Sequence, residues 1–322
     1  MNESGDKIMK DNTTPGESRT LNIREVGPRD GFQNEPETIA TEDKIKLINE
    51  LGTTGLTRIE VASFVRPDVI PQLSDGLEVL QGIDVPDSVE RMVLVPNSKG
   101  LQKALEAQDL FDACMLFVSG SETHNAANIN RTIRETMDDV KVMGKRLVAE
   151  GIKFSAAIAT SYGCPYEGPV PMEHVFDIAE EFAEAGATEV GFGDTTGMAN
   201  PAYVHRFFTR AAERLPGIEL TAHFHNTRGQ GLANAYAALE AGCTSFESSF
   251  GELGGCPVPK GSTGNIATED LVSMFHEMGV DTGIDLDKIV TAARHVQELL
   301  GRKLTSHTIV AGAVDWEPSL AL

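Results

Sequence analysis

The run Gly27-Pro28-Arg29-Asp30-Gly31-Phe32-Gln33-Asn34-Glu35 crowds a cation, two carboxylates and two amides into nine residues. Taken alone it is compatible with a solvated charged turn. A second feature, Thr221-Ala222-His223-Phe224-His225-Asn226, changes that reading. In an extended chain, side chains at i and i+2 point the same way, so the two imidazoles share one face about 6.8 Å apart along it. Two histidines are costly filler inside an apolar strand, whereas neutral ring nitrogens suit a divalent metal. With Asp30 as a carboxylate partner and room left for water, the set suits Mg²⁺, Mn²⁺ or a similar Lewis acid. The mixed ligands leave the choice of metal open.

The stretch Gly251-Glu252-Leu253-Gly254-Gly255-Cys256-Pro257, continuing through Lys260 and Gly261 to Thr263-Gly264-Asn265, has five glycines within 14 residues. Such a loop can move over a site and approach a ligand closely. Cys256, placed on it, is a candidate proton donor or acceptor. Cys114 and Cys243 sit in apolar runs and read as core, and Cys164 reads as structural. Glu60 and Asp194 each follow or interrupt an apolar run, and a buried carboxylate there needs a partner. Both are candidates for orienting Arg29 or a metal-bound histidine. For Asp194, an ordinary helix-capping turn is the competing reading.

These residues need elements to hold them together. Short apolar runs predict strands at Leu21–Val26, Arg58–Ala62, Met92–Val95, Ala113–Val118, Phe154–Ala159, Glu189–Phe192, Glu219–Phe224 and Ser245–Ser249. Helical periodicity lies between them, opening at Thr41 as a cap and near Pro67, Lys99, Arg131, Pro171, Pro201, Gly229 and Asn265. Strands alternating with helices imply a parallel sheet with right-handed crossovers, and eight such units close into a (β/α)8 TIM barrel. Chemistry in that fold sits in the loops after the strands, where the candidate residues fall. Residues 1–20 are polar and aperiodic and are expected to form a flexible tail, with a single barrel domain over 21–302. An extra helix is expected near Asp285–Leu300, and 303–322 is expected to be a C-terminal tail.

The chain carries 27 Lys and Arg against 48 Asp and Glu, a net charge of −21, which argues against a nucleic-acid binder. No apolar run is long enough for a membrane span, and no secretory signal is visible, so a soluble cytoplasmic protein is expected. Four scattered cysteines make neither a disulfide framework nor a zinc ribbon.

Val26-Gly-Pro-Arg-Asp-Gly-Phe-Gln-Asn-Glu35, Ser63-Phe-Val65, Leu94-Val-Pro-Asn97, Gly163-Cys-Pro-Tyr-Glu-Gly168, Gly193-Asp-Thr195, His223-Phe-His225 and Gly254-Gly-Cys-Pro257 together resemble the 3-hydroxy-3-methylglutaryl-CoA lyases. The resemblance spans about Leu21 to Arg302. It implies a divalent-metal-dependent carbon–carbon lyase that splits an acyl-CoA thioester into acetyl-CoA and a 3-keto acid, acetoacetate for the methyl substrate. It also implies a homodimer. By resemblance, Asp30, His223, His225 and Asn265 match metal ligands, Arg29 the catalytic arginine and Cys256 the loop cysteine, and Glu60 and Asp194 match active-site carboxylates. Gln33 and Ser63, inside these motifs, are expected to contact substrate.

The departures concern the acyl wall and the loops. The family's acyl pocket carries a Tyr where this chain has Ala157 and a Ser where it has Gly191. The aspartate usual after His-x-His is Asn226, Glu252 replaces a small residue, and Lys260 is unusual. The readings to be separated are a lyase for the methyl substrate, a lyase for a bulkier 3-alkyl substrate, a Claisen-type synthase or aldolase, and a silent acyl-CoA-binding barrel.

Overall fold

The strands form where apolar, β-branched runs can be buried on both faces, the usual composition of a parallel sheet. A computed structural model describes residues 21–255 and 263–314, so the expected 1–20 tail, Cys256 and Lys260 lie outside the described residues. The strands are β1 (Asn22–Glu25), β2 (Arg58–Ser63), β3 (Glu90–Leu94), β4 (Ala113–Ser119), β5 (Lys153–Ala159), β6 (Glu189–Asp194), β7 (Glu219–Phe224) and β8 (Ser245–Ser248). Each pairs in parallel with the next, and β8 returns to β1 to close the barrel. The helices are α1 (Thr41–Leu51), α2 (Gly76–Gly82), α3 (Ser98–Leu105), α4 (Glu122–Ile129), α5 (Ile133–Ala149), α6 (Met172–Glu184), α7 (Pro201–Arg214), α8 (Gly231–Glu240), α9 (Thr268–Glu277), α10 (Leu286–Leu299) and α11 (His307–Ala311). Their apolar faces pack on the outer wall in one continuous core.

Four local expectations change. Thr41 is the first residue of α1 rather than its cap, and its hydroxyl donates to Asp75 at 2.8 Å. The helix after β2 starts at Gly76, because Pro67 and Pro71 interrupt the preceding stretch, of which only Pro71–Leu73 makes a 3₁₀ turn. Two helices follow β4: α4 ends on Asn130 in the left-handed conformation, and a Thr132–Glu135 capping box opens α5. Within the expected 303–322 tail, the described residues include a helix, α11, that docks on the barrel. Asp270 of α9 accepts from the backbone amides of His307 (2.9 Å) and Thr308 (2.7 Å) and anchors α11.

At the closed end of the barrel, Arg24 of β1 is 1% exposed. Its guanidinium donates twice to Glu189 (2.8 and 2.7 Å) and once to Glu247 (2.8 Å). Burial opposes the charge on Arg24, and the two carboxylates hold it on. Removing one partner of a buried ion pair leaves an uncompensated charge and costs about 3–5 kcal/mol. Arg24→Met is therefore expected to lower unfolding free energy by about that amount in denaturant titration. A change below about 1 kcal/mol would show that the network is well solvated.

Candidate active site and metal centre

Two local irregularities aim the charged groups of the candidate site. After β1, the Val26 carbonyl accepts from the amides of Arg29 (3.1 Å), Asp30 (2.7 Å) and Gly31 (3.2 Å), winding Gly27–Gly31 into a single π-helical turn. Gly27 is required there, since a Cβ would lie 2.7 Å from both Glu25 Oε1 and the Phe250 ring. The β2–β3 register shifts between Glu60 and Ala62, a bulge that re-aims Glu60 towards the same mouth. Glu25 ties the loops after β1 and β8 together, accepting from Gly27 N at 2.7 Å and Phe250 N at 3.1 Å. Burial pushes its carboxyl up to about 8.

Arg29 is held on two sides, at 2.6 Å from Glu60 Oε2 and 2.9 Å from Asp30 Oδ1. Burial works against its charge, but Glu60 and Asp30 outweigh it and raise the pKa. Burial also lifts Glu60, to about 7, although Arg29 pulls the other way. Gln33 lines the cavity and braces both groups: it donates to Asp30 Oδ1 at 2.7 Å and accepts weakly from Arg29 at 3.5 Å.

Asp30, His223 and His225 bring one ligand atom each within 4.8 Å of one another. The two Nε2 atoms stand only 3.2 Å apart. On the far sides of the rings, His223 Nδ1 meets Glu247 Oε2 at 2.9 Å and His225 Nδ1 meets the Thr263 carbonyl at 3.0 Å. Burial, then the neighbouring His223, lowers His225 to about 4, so it stays neutral. Burial would depress His223 too, but Glu247 outweighs it and raises the pKa. Asp30 resists its own burial because Arg29 and both histidines favour its charge, and its pKa is lowered. Asn265 donates to Asp30 Oδ2 at 2.7 Å, while its own Oδ1 is buried without a hydrogen-bond partner. Neutral imidazole, ionised carboxylate and a spare amide oxygen fit a divalent cation.

Not every expected residue joins this cluster. Asp194 accepts through Oδ1 from Met198 N (2.7 Å) and Ala199 N (3.0 Å), as in the capping-turn reading, while its Oδ2 is buried without a hydrogen-bond partner and its charge interacts with His223. Burial raises Asp194 to about 7, and Glu60 takes the Arg29-orienting place that Asp194 was a candidate for. Ser63 is buried at the end of β2 and accepts from Val65 N at 3.2 Å in a local turn. Cys164 is buried against the Ser121 hydroxyl, and Cys114 and Cys243 are core. Glu247 was missed, although a carboxylate inside the four-residue strand Ser245-Phe-Glu-Ser248 was its visible signal.

The cluster opens into a cavity of about 870 Å³ at the strands' C-terminal mouth. Arg29, Asp30, His223, His225 and Glu247 line one part, and Leu94, Met115, Phe117, Ala157 and Gly191 line another. That size and mixture suit a small organic ligand.

A family model described as HMGL-like matches residues 20–296. The chain belongs to the HMGL-like family. It is a lyase, as the resemblance implied. It is 45% identical to hydroxymethylglutaryl-CoA lyase YngG of Bacillus subtilis, over 90% of this chain and 97% of that one. It is 37% identical to the 3-hydroxy-3-isohexenylglutaryl-CoA/hydroxymethylglutaryl-CoA lyase of Pseudomonas aeruginosa, over 88% of this chain and 94% of that one. An HMG-CoA lyase from Acinetobacter baumannii, solved with coenzyme A and 3-methylmalate, superposes with a TM-score of 0.90 at 41% identity, covering 95% of this chain and 99% of that one. Among the described residues no helix is long and apolar enough to cross a membrane.

The convergence of the two Nε2 atoms gives a direct expectation for HMGL-like chemistry here. His223→Ala and His225→Ala should each weaken Mn²⁺ binding in calorimetry by at least about tenfold. Unchanged affinity in both variants would rule out this cluster as the metal centre.

Proposed function

We propose that the chain cleaves a 3-hydroxy-3-alkylglutaryl-CoA thioester into acetyl-CoA and a 3-keto acid, using Mg²⁺ or Mn²⁺. The observation that carries this reading is Arg29, a permanent cation locked between Glu60 and Asp30 at the edge of a three-ligand cluster in the cavity. Asp30, His223, His225 and the Asn265 amide oxygen are the residues that would hold the metal. A bound divalent cation supplies Lewis-acid polarisation of the substrate's oxygens, making the tertiary hydroxyl more acidic.

A base in the site takes that hydroxyl proton, and the alkoxide so formed collapses to a carbonyl as the adjacent C–C bond breaks. Its electron pair passes into the thioester carbonyl, giving the keto acid and the enolate of acetyl-CoA. Arg29 faces the oxygen on which this charge develops, and its preset geometry makes the stabilisation largest in the transition state. The enolate carbon then takes a proton. Cys256 and His223 are the two groups able to supply it; His223 has Nδ1 on Glu247 and Nε2 beside His225, so we assign the step to Cys256.

The acyl wall supports a branch larger than methyl. Ala157 sits among Val65, Leu94, Met115 and Phe117, an apolar surface. At Gly191 a Cβ would meet nothing closer than 3.5 Å, so a larger residue fits there, and the glycine leaves the space to a ligand. The Pseudomonas aeruginosa relative, whose name includes an isohexenyl substrate, is consistent with that size. Each buried methylene contributes about 0.8 kcal/mol, close to fourfold in kcat/KM. We place the enzyme in the cytoplasm as a homodimer.

The test is acetyl-CoA release from a panel of 3-hydroxy-3-alkylglutaryl-CoA thioesters with added Mg²⁺ or Mn²⁺. The expected result is release from the methyl substrate and higher kcat/KM for a longer apolar branch, with Ala157→Tyr plus Gly191→Ser returning the preference to methyl. No release from any member would overturn the lyase assignment, and a methyl optimum indifferent to the double substitution would overturn the wide-pocket assignment.

A further inference from the structure

Two departures from the family pattern meet in space. Asn226, where an aspartate is usual, donates its amide to Glu252, which stands where a small residue is usual. Glu252 keeps its side chain at φ 64°, a left-handed conformation that glycine adopts more readily. The same amide's Oδ1 accepts from Gly231 N at 3.3 Å, tying the contact to the start of α8.

Beneath this contact runs a short seam of backbone bonds. Asn226 N donates to Gly264 O and Asn265 N donates to Leu253 O, each at 3.1 Å, and His225 bridges to Asn265. The seam is tight, since a Cβ on Gly264 would fall 1.7 Å from the Glu252 carbonyl oxygen. It carries two members of the ligand set, His225 and Asn265, and the Thr263 carbonyl that orients the His225 ring. A side-chain bond clamping its outer edge therefore acts on ligands that Glu252 does not touch.

We propose that Glu252 is a positioning residue that, through Asn226, holds His225 and Asn265 in register for the divalent metal. This rests on the metal-centre reading above. Outer contacts that orient ligands typically change metal affinity by about 10–100-fold when removed.

The experiment is Mn²⁺ titration of the full chain, followed by electron paramagnetic resonance and calorimetry, with thermal unfolding in parallel. Glu252→Gly deletes the contact and relieves the backbone, so Mn²⁺ should bind about 10–100-fold more weakly while Tm does not fall. Glu252→Gln keeps an accepting oxygen, and Asn226→Asp combined with Glu252→Gln reverses donor and acceptor. Both should bind Mn²⁺ within about threefold of the parent. Parent-like affinity in Glu252→Gly, or weak binding in both bond-preserving variants, would overturn the proposal. Parent and His225→Ala serve as references: if the parent binds Mn²⁺ and His225→Ala does not, a parent-like Glu252→Gly defeats this inference alone. A parent that fails to bind defeats the metal-centre reading with it.

Discussion

One carboxylate connects the barrel's floor to its chemistry. Glu247 gives Oε1 to Arg24 at 2.8 Å and Oε2 to His223 at 2.9 Å. Burying a charge costs several kcal/mol unless it is paired, so none of these groups is independent of the others. Glu189 shares Arg24 with Glu247, His223 stands against His225, and Asp30 and Glu60 divide Arg29 between them. Burial favours the neutral carboxyl at Glu247, yet His223 and Arg24 keep its pKa lowered. The candidate ligand set is thus tied, through Glu247 at the cavity wall, to Arg24 and Glu189, which do not line the cavity. A protein interior resists the small shifts that would break this chain, because neighbouring groups would be left unpaired.

Rigid strands and loosely templated loops divide the work. The strands supply His223 and Glu247 in fixed register, with His223 paired to Glu247 across β7 and β8. The loops supply Arg29, Asp30 and Asn265, and need their own devices: a π turn after β1, and the Glu25 carboxylate that joins two loops. The apolar half of the cavity sits deeper on β3, β4 and β5, where Leu94, Met115 and Ala157 face inward. Polar chemistry at the rim and an apolar wall below suit a substrate with one reactive oxygen-rich end and one hydrocarbon branch.

Much of this was legible because period and spacing are local properties. The eight strands lie within a few residues of the apolar runs that predicted them, and His223 and His225 share a side as alternation requires. Gly27–Asp30 announced itself by composition, though not its π turn, which depends on packing against Phe250. Asp194 followed a strand as catalytic carboxylates do, but the local amides of Met198 and Ala199 were nearer partners. Glu247 was hidden for the opposite reason: its partners are 223 and 24, far away in sequence. The helix after β2 is displaced by Pro67 and Pro71, a signal local to the sequence, whereas 303–311 carries too little pattern to reveal its docking onto Asp270.

The central claim is that Arg29, fixed by Glu60 and Asp30, stabilises the enolate of acetyl-CoA. That half-reaction can be watched without cleavage. Acetyl-CoA incubated in D₂O with the metal-loaded protein should exchange its methyl protons, read by mass spectrometry or proton NMR. In Arg29→Gln the exchange should fall by at least about 10²-fold while Mn²⁺ affinity stays close to the parent's. Exchange at the parental rate in Arg29→Gln would contradict the account.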